Sequence, residues 1–218
     1  MDFEEELSQV LPPDIPHRDR LIEKSALHLR SIEAVNEHMN LTRISSPRDA
    51  AIKHVLDSVL PWEHFKRARR VLDAGTGAGF PGIPLSIVLP EVQFVLSESV
   101  HKKARFVESA AVLLDLPNVE VVAERAESLA LARHPQIVTA RAVAPVDRLL
   151  DLFGKALKHG SRLLLYKGPD VENELVGMNN HQTAADILFR YDLPDGLGTR
   201  CLLSVSAATR KRVRATRQ

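Results

Sequence analysis

Cysteine is almost absent from this chain: Cys201 stands alone among 218 residues. That excludes an intrachain disulfide and fits a reducing cytoplasm. No apolar segment reaches the length needed to cross a membrane. The start, Met1-Asp2-Phe3-Glu4-Glu5-Glu6, is acidic where a secretory signal is basic and then apolar, so a cytoplasmic location is expected. The nine histidines show no close Cys/His pairing, and no metal site is expected. No lysine followed by serine or threonine closes the glycine run, which excludes a P-loop. With 44% hydrophobic and 26% charged residues, the chain reads as an ordinary globular domain, or one domain with an appendage.

The most informative stretch is Val71-Leu72-Asp73-Ala74-Gly75-Thr76-Gly77-Ala78-Gly79-Phe80-Pro81-Gly82. It begins as a buried strand would, then loses its side chains at alternate positions, so that a ligand can approach the main chain. Asp73 falls at the strand's end, where parallel strands meet bound ligands. The apolar run from Ile83 to Leu89 suits a buried helix whose first turn tolerates Pro84. Gly77-x-Gly79-x-x-Gly82 matches the dinucleotide fingerprint, but Asp73-x-Gly75-x-Gly77-x-Gly79 is the better match to the S-adenosylmethionine loop of Rossmann-like methyltransferases.

Before this loop the sequence predicts helices. One ends near Val10, ahead of Pro12-Pro13. A second places Ile22, Ala26, Leu29, Ile32, Val35 and Met39 on one face. Ser46-Pro47 caps a third, with Ile52, Val55, Leu56 and Val59 turned inward. After Arg70, strands are expected at 71–74, 92–98, 119–123, 136–140 and 161–167, alternating with helices, the clearest at 100–115. That alternation predicts an α/β fold with a mostly parallel sheet covered on both faces. Ile187–Asp192 and Arg200–Ser206 flank a Pro-Asp-Gly turn and predict a terminal antiparallel hairpin. The expected division is a helical cap over 1–65, a Rossmann-like domain over 66–207 and a basic tail over 208–218.

Charge is unevenly spread. Residues 1–65 hold 7 Lys/Arg and 12 Asp/Glu, and the remainder is basic by 6. Basic clusters at Lys66–Arg70, Lys102–Arg105 and Arg210–Arg214 can hold a polyanion or form solvated faces.

Glu98, ending the second strand 19 residues after Gly79, is placed to accept hydrogen bonds from both ribose hydroxyls of an adenosine. The segments Asn40-Leu41-Thr42, Lys53-His54-Val55-Leu56-Asp57-Ser58, the Asp73–Gly82 loop, Glu98-Ser99-Val100-His101-Lys102-Lys103-Ala104-Arg105-Phe106, Arg125-Ala126-Glu127, Thr139-Ala140-Arg141-Ala142-Val143-Ala144 and Tyr166-Lys167-Gly168 occur in that order. Together they resemble the RsmG (GidB) family of bacterial 16S rRNA methyltransferases. The resemblance implies methyl transfer from S-adenosyl-L-methionine to guanine N7 in the 530 loop, with naked 16S rRNA or a small-subunit particle as partner and a monomeric enzyme. It implies cofactor contacts at Gly75, Phe80, Glu98, Ala126, Glu127 and Arg141, on a loop shaped by Asp73, Gly77 and Gly79. Arg141 is the expected catalytic residue, gripping the cofactor carboxylate or the RNA. Two features depart from the family: Glu98 where Asp is common, and a tail without its Tyr-Pro-Arg-rich ending.

The missing chemistry agrees with N7. That nitrogen is already a lone-pair acceptor with no proton to remove, and the chain has no Asn/Asp-Pro-Pro-aromatic motif to orient an exocyclic amine. Two other classes share part of the pattern. A nicotinamide-dependent oxidoreductase has the glycine–acid spacing but not the Asp73-x-Gly75 preface. A non-catalytic RNA-binding protein accounts for the basic clusters and leaves Asp73, Glu98 and the glycines without a purpose. Roles for His54, Asp57 and Lys167 stay open.

Overall fold

The computed structural model describes residues 2–44, 46–176 and 182–208. The basic cluster at 210–214 lies outside the described residues. Three helical segments come first: α1 (Phe3–Val10), α2 (Arg18–Met39) and α3 (Pro47–Ala50), the last running through π-helical turns at Ala51–Leu56 into α4 (Asp57–Val59). Ser46 caps α3 as expected, its Oγ accepting from the Asp49 N–H at 3.0 Å. Ile52, Val55, Leu56 and Val59 are all buried.

From Arg70 the chain alternates. The order is β1 (Arg70–Ala74), α5 (Gly82–Val88), β2 (Gln93–Ser97), α6 (His101–Leu113), β3 (Val119–Val122), α7 (Ala126–Arg133), β4 (Ile137–Arg141), α8 (Val146–Lys158), β5 (Arg162–Lys167), α9 (Val171–Val176), β6 (Thr183–Asp192) and β7 (Thr199–Ala207). The seven-stranded sheet runs β3-β2-β1-β4-β5-β7-β6. β1 to β5 pair in parallel, and β7 pairs antiparallel with both β5 and β6. The expected strands lie within about one residue of the observed ones. The terminal hairpin is longer than expected, and its pairing shifts register between Ile187 and Phe189.

Strand periodicity assigns the two faces. Val71, Phe94, Leu96, Ile137 and Leu164 share a core with α1, α2, the helix over 47–59 and α5. Leu72, Val95, Val138, Leu163 and Leu165 face α7 and α8 instead. The helical segments before Arg70 therefore form part of one covering layer, packed directly on the strand–loop–helix unit. Arg48 fastens this layer at its edge, bonding Glu6 at 3.1 Å and Asp195 in the hairpin turn at 2.8 Å. The sheet's order reverses between β1 and β4, and the carboxyl ends of those strands open the crevice where such folds bind ligands. Among the described residues no helix is long and apolar enough to cross a membrane.

Candidate active site

The loop from Gly75 to Phe80 leaves β1 at this crevice. Beneath it Asp73 is fully buried, its Oδ2 accepting from Thr76 Oγ1 at 2.6 Å and from the Gly82 N–H at 2.9 Å. Among the described residues Oδ1 has no hydrogen-bond partner, and burial pushes the Asp73 pKa up to about 6. Two glycines have distinct reasons. Gly77 sits at φ +62°, and a Cβ there would stand in open space, on the surface a ligand can reach. Gly79 sits at φ +102°, and a Cβ there would lie 2.6 Å from Ile83 Cδ1 and 3.2 Å from His28 Cε1. Its lack of a side chain lets α2 and α5 close on the loop.

Glu98 follows β2 and is largely buried. Its Oε2 accepts from the Gly77 N–H at 3.2 Å and its Oε1 from the Val100 N–H at 2.8 Å. A carboxylate offers about four acceptor positions, so acceptor capacity remains for hydroxyl donors. Ala126 and Glu127 open α7 one strand further along, where Ser97 Oγ bonds Glu124 O at 2.6 Å.

A cavity of about 910 Å³ opens beside the loop, lined by Gly75, Gly77, Phe80 and Arg141 together with Lys53, His54 and Asp57. Asp73, Gly79, Glu98, Ala126 and Glu127 are not on its wall. Arg141, ending β4, reaches into the helical layer. Its Nη1 donates to Asp57 Oδ2 at 2.9 Å and to Lys53 O at 3.0 Å. The intrusion coincides with the π-helical turns, as expected where a side chain enters the helical ladder. Tyr191 of β6 donates to the other oxygen of Asp57 at 2.9 Å. Two groups lie against Phe80: His54 stacks on it at 4.5 Å and 6°, and the Arg141 guanidinium lies 5.6 Å from its ring centre. Burial, and then the Arg141 charge, push the His54 pKa down to about 3, so its ring is neutral at physiological pH. His54 Nε2 lies 2.9 Å from Thr42 Oγ1. Lys167 donates to Glu174 at 2.7 Å and to Ala144 O at 3.0 Å.

Residues 21–190 match the family model for GidB, rRNA small subunit methyltransferase G. The ribosomal RNA small subunit methyltransferase G of Solibacter usitatus is 54% identical over 209 residues, covering 94% of this chain and all of the relative. The chain belongs to this family. The GidB relative of Carboxydothermus hydrogenoformans is 36% identical over 197 residues, covering 84% of this chain and 83% of its own. Solved structures extend the likeness of fold. The O-methyltransferase TomG of Streptomyces achromogenes, in complex with SAM, superposes with a TM-score of 0.56 at 16% identity, covering 95% of this chain and 96% of that one. An O-methyltransferase from Bacillus cereus, in complex with SAH, gives 0.56 at 18% identity, covering 93% and 96%. The GidB chain thus carries the Rossmann-like fold of S-adenosylmethionine-dependent methyltransferases, and its family methylates small-subunit rRNA.

Within this GidB fold the sequence reading overlooked His28, whose Nε2 lies 2.9 Å from Ala78 O. It also gave no role to Thr76 or Tyr191. The signal for His28 was its place one turn from Ser25 and Ile32 and two turns from Leu21, the face of α2 that is buried.

Proposed function

We propose that this chain transfers a methyl group from S-adenosyl-L-methionine to N7 of a guanine in the 530 loop of 16S rRNA. The observation carrying this reading is the state of the cavity wall. Among the described residues each carboxylate there is paired with a cation, Asp57 with Arg141 and Glu174 with Lys167, and His54, its Nε2 against Thr42 and its pKa held near 3 by burial, is a weak base. A reaction that must strip a proton from an amine needs a free base. Attack by a ring nitrogen with an available lone pair needs positioning and exclusion of water.

The residues present suit the cofactor. Open space over Gly77 admits a ligand against the backbone, Glu98 retains acceptor capacity for ribose hydroxyls, and the orphaned Asp73 Oδ1 suits an ammonium group nearby. Gly75 and Phe80 line the cavity beside it, Gly79 closes the loop on α2, and Ala126 with Glu127 bound the adenine side. The cofactor, when bound, supplies an electrophilic methyl on a sulfonium. Arg141 is the residue we assign to the reacting end: its Asp57 bond fixes the guanidinium beside Phe80, against the cofactor carboxylate or the RNA. Acceptor RNA reaches the protein as naked 16S rRNA or as a small-subunit particle, and the enzyme works in the cytoplasm as a monomer.

Incubating unmodified small-subunit particles with the protein and S-adenosylmethionine should create one borohydride/aniline-sensitive cleavage in 16S rRNA, because an N7-methylated guanosine has a labile glycosidic bond. Methylation without a cleavable site would place the group on a base amine and overturn the N7 assignment.

A further inference from the structure

We propose that His28 of α2 is a positioning residue for the cofactor loop, holding the Ala78–Gly79 peptide in the orientation that S-adenosylmethionine meets. The inference rests on the cofactor reading above and assigns a role to a side chain outside the cavity wall. It starts from the loop's weakest point. The Ala78–Gly79 peptide is followed by a residue for which φ of either sign is open, so that peptide can turn over at little cost unless its polar ends are tied. Both ends are tied. The Gly79 N–H donates to Thr76 O at 2.9 Å, and the Ala78 carbonyl faces His28 Nε2 at 2.9 Å. A carbonyl only accepts, so the imidazole carries its proton on Nε2. Burial pushes the His28 pKa down to about 4, which keeps the ring neutral and in this donating form at physiological pH.

The donor is itself fixed. His28 is 1% exposed, and its ring lies 4.9 Å from Phe80 and 6.3 Å from Phe106. The lack of a side chain at Gly79 gives the imidazole its room, since a Cβ there would lie 3.2 Å from His28 Cε1. An apolar ring of similar size would fill the same space and leave the Ala78 carbonyl buried without a donor. The hydrogen bond, more than the bulk, is what sets the loop.

The test compares the full-length parent with His28→Phe, which keeps the ring, and His28→Gln, whose amide nitrogen reaches about where Nε2 sits. Two quantities are read: S-adenosylmethionine affinity by calorimetric titration, and deuterium uptake by peptides covering residues 74–82 in the ligand-free protein. His28→Phe should weaken the cofactor about 5- to 10-fold and speed exchange at the loop, while KM for the small-subunit particle stays within about twofold. His28→Gln should recover most of both. Parent-like affinity and exchange in a folded His28→Phe overturn the proposal, and so does equal damage from Phe and Gln, which would make volume the cause. Should His28→Phe fail to fold, His28→Met repeats the comparison with a more adaptable side chain. If the parent itself does not bind S-adenosylmethionine, the cofactor reading fails, and loop exchange alone still decides whether His28 holds the peptide.

Discussion

The two sides of the glycine loop are built on different principles. Toward β2 and β3 the groups we propose to meet the cofactor are backbone or sit at strand ends: the Gly77 main chain, the Glu98 carboxylate that holds it, the start of α7. Toward the helical layer they are side chains from distant parts of the chain: His28 on Ala78, His54 on Phe80, Asp57 on Arg141. The first side is specified by a short sequence with fixed spacing. The second depends on packing, so its residues can differ while the loop is held in the same place. Disturbing the first should act on binding with little effect on folding; disturbing the second should act on both.

The largest effect on binding is expected at Gly77. Gly77→Val starts a side chain into the open space over the loop and strains the backbone at φ +62°, so circular dichroism should report a folded chain of somewhat lower stability while calorimetry finds no S-adenosylmethionine binding. Normal binding by that variant would remove the loop from the site. On the other side, Arg141→Ala leaves Asp57, 4% exposed, without its cation. Stability should fall by roughly 3 kcal/mol, read as a lower urea midpoint, and methylation should be suppressed as well. A variant that is inactive but fully stable would make Arg141 a ligand contact alone, and the two sides would then be alike.

Glu98→Gln keeps the shape and weakens charge-assisted hydrogen bonds to the ribose, which should cost about 1–3 kcal/mol of cofactor affinity. Titration showing unchanged affinity would leave Glu98 as a brace for the Gly77 and Val100 amides. A pH dependence belongs to the helical side. His28 and His54 have folded pKa values near 4 and 3 against an ordinary 6.5. Below pH 6.5 the unfolded chain therefore binds protons that the fold resists. Stability is complete above that pH and is lost as pH falls toward 4, by up to about 1.4 kcal/mol per pH unit for each ring. Asp73, raised to about 6, works in the opposite direction between about 6 and its ordinary 3.8. Two rings against one carboxyl give a net loss, so the urea midpoint should drop between pH 7 and pH 5. His28→Phe should flatten that slope, and a midpoint that rises on acidification would contradict the assignment.

The same division explains what the sequence made legible. The strands, the loop and the place of Glu98 follow from local periodicity and spacing, and the observed strands lie within about a residue of those expected. On α2 the expected face holds at Ala26, Leu29 and Ile32 and fails at its two ends. Ile22, Val35 and Met39 are only partly buried, while Ser25 and His28 are buried with Leu21 and Ile32. A search for apolar spacing passes over a polar side chain whose bond is made 50 residues away. Arg141 and Asp57 are separated by 84 residues, and no local rule connects them. The π-helical turns were likewise hidden, because helical spacing of Ile52, Val55, Leu56 and Val59 reads as ordinary α-helix.

The register shift in the terminal hairpin has a consequence for how these molecules behave in a crowd. β6 is the sheet's outer strand, ten residues long, and a flat, unpaired border of that length is a template for another chain to stack against. The irregularity between Ile187 and Phe189 breaks the even row of amides and carbonyls. Asp186, Arg190 and Asp192 project exposed along it, so a second copy would have to bury charge against a bent rim. Such a border is a poor template for a further strand, while β7 behind it is paired on both sides within the sheet.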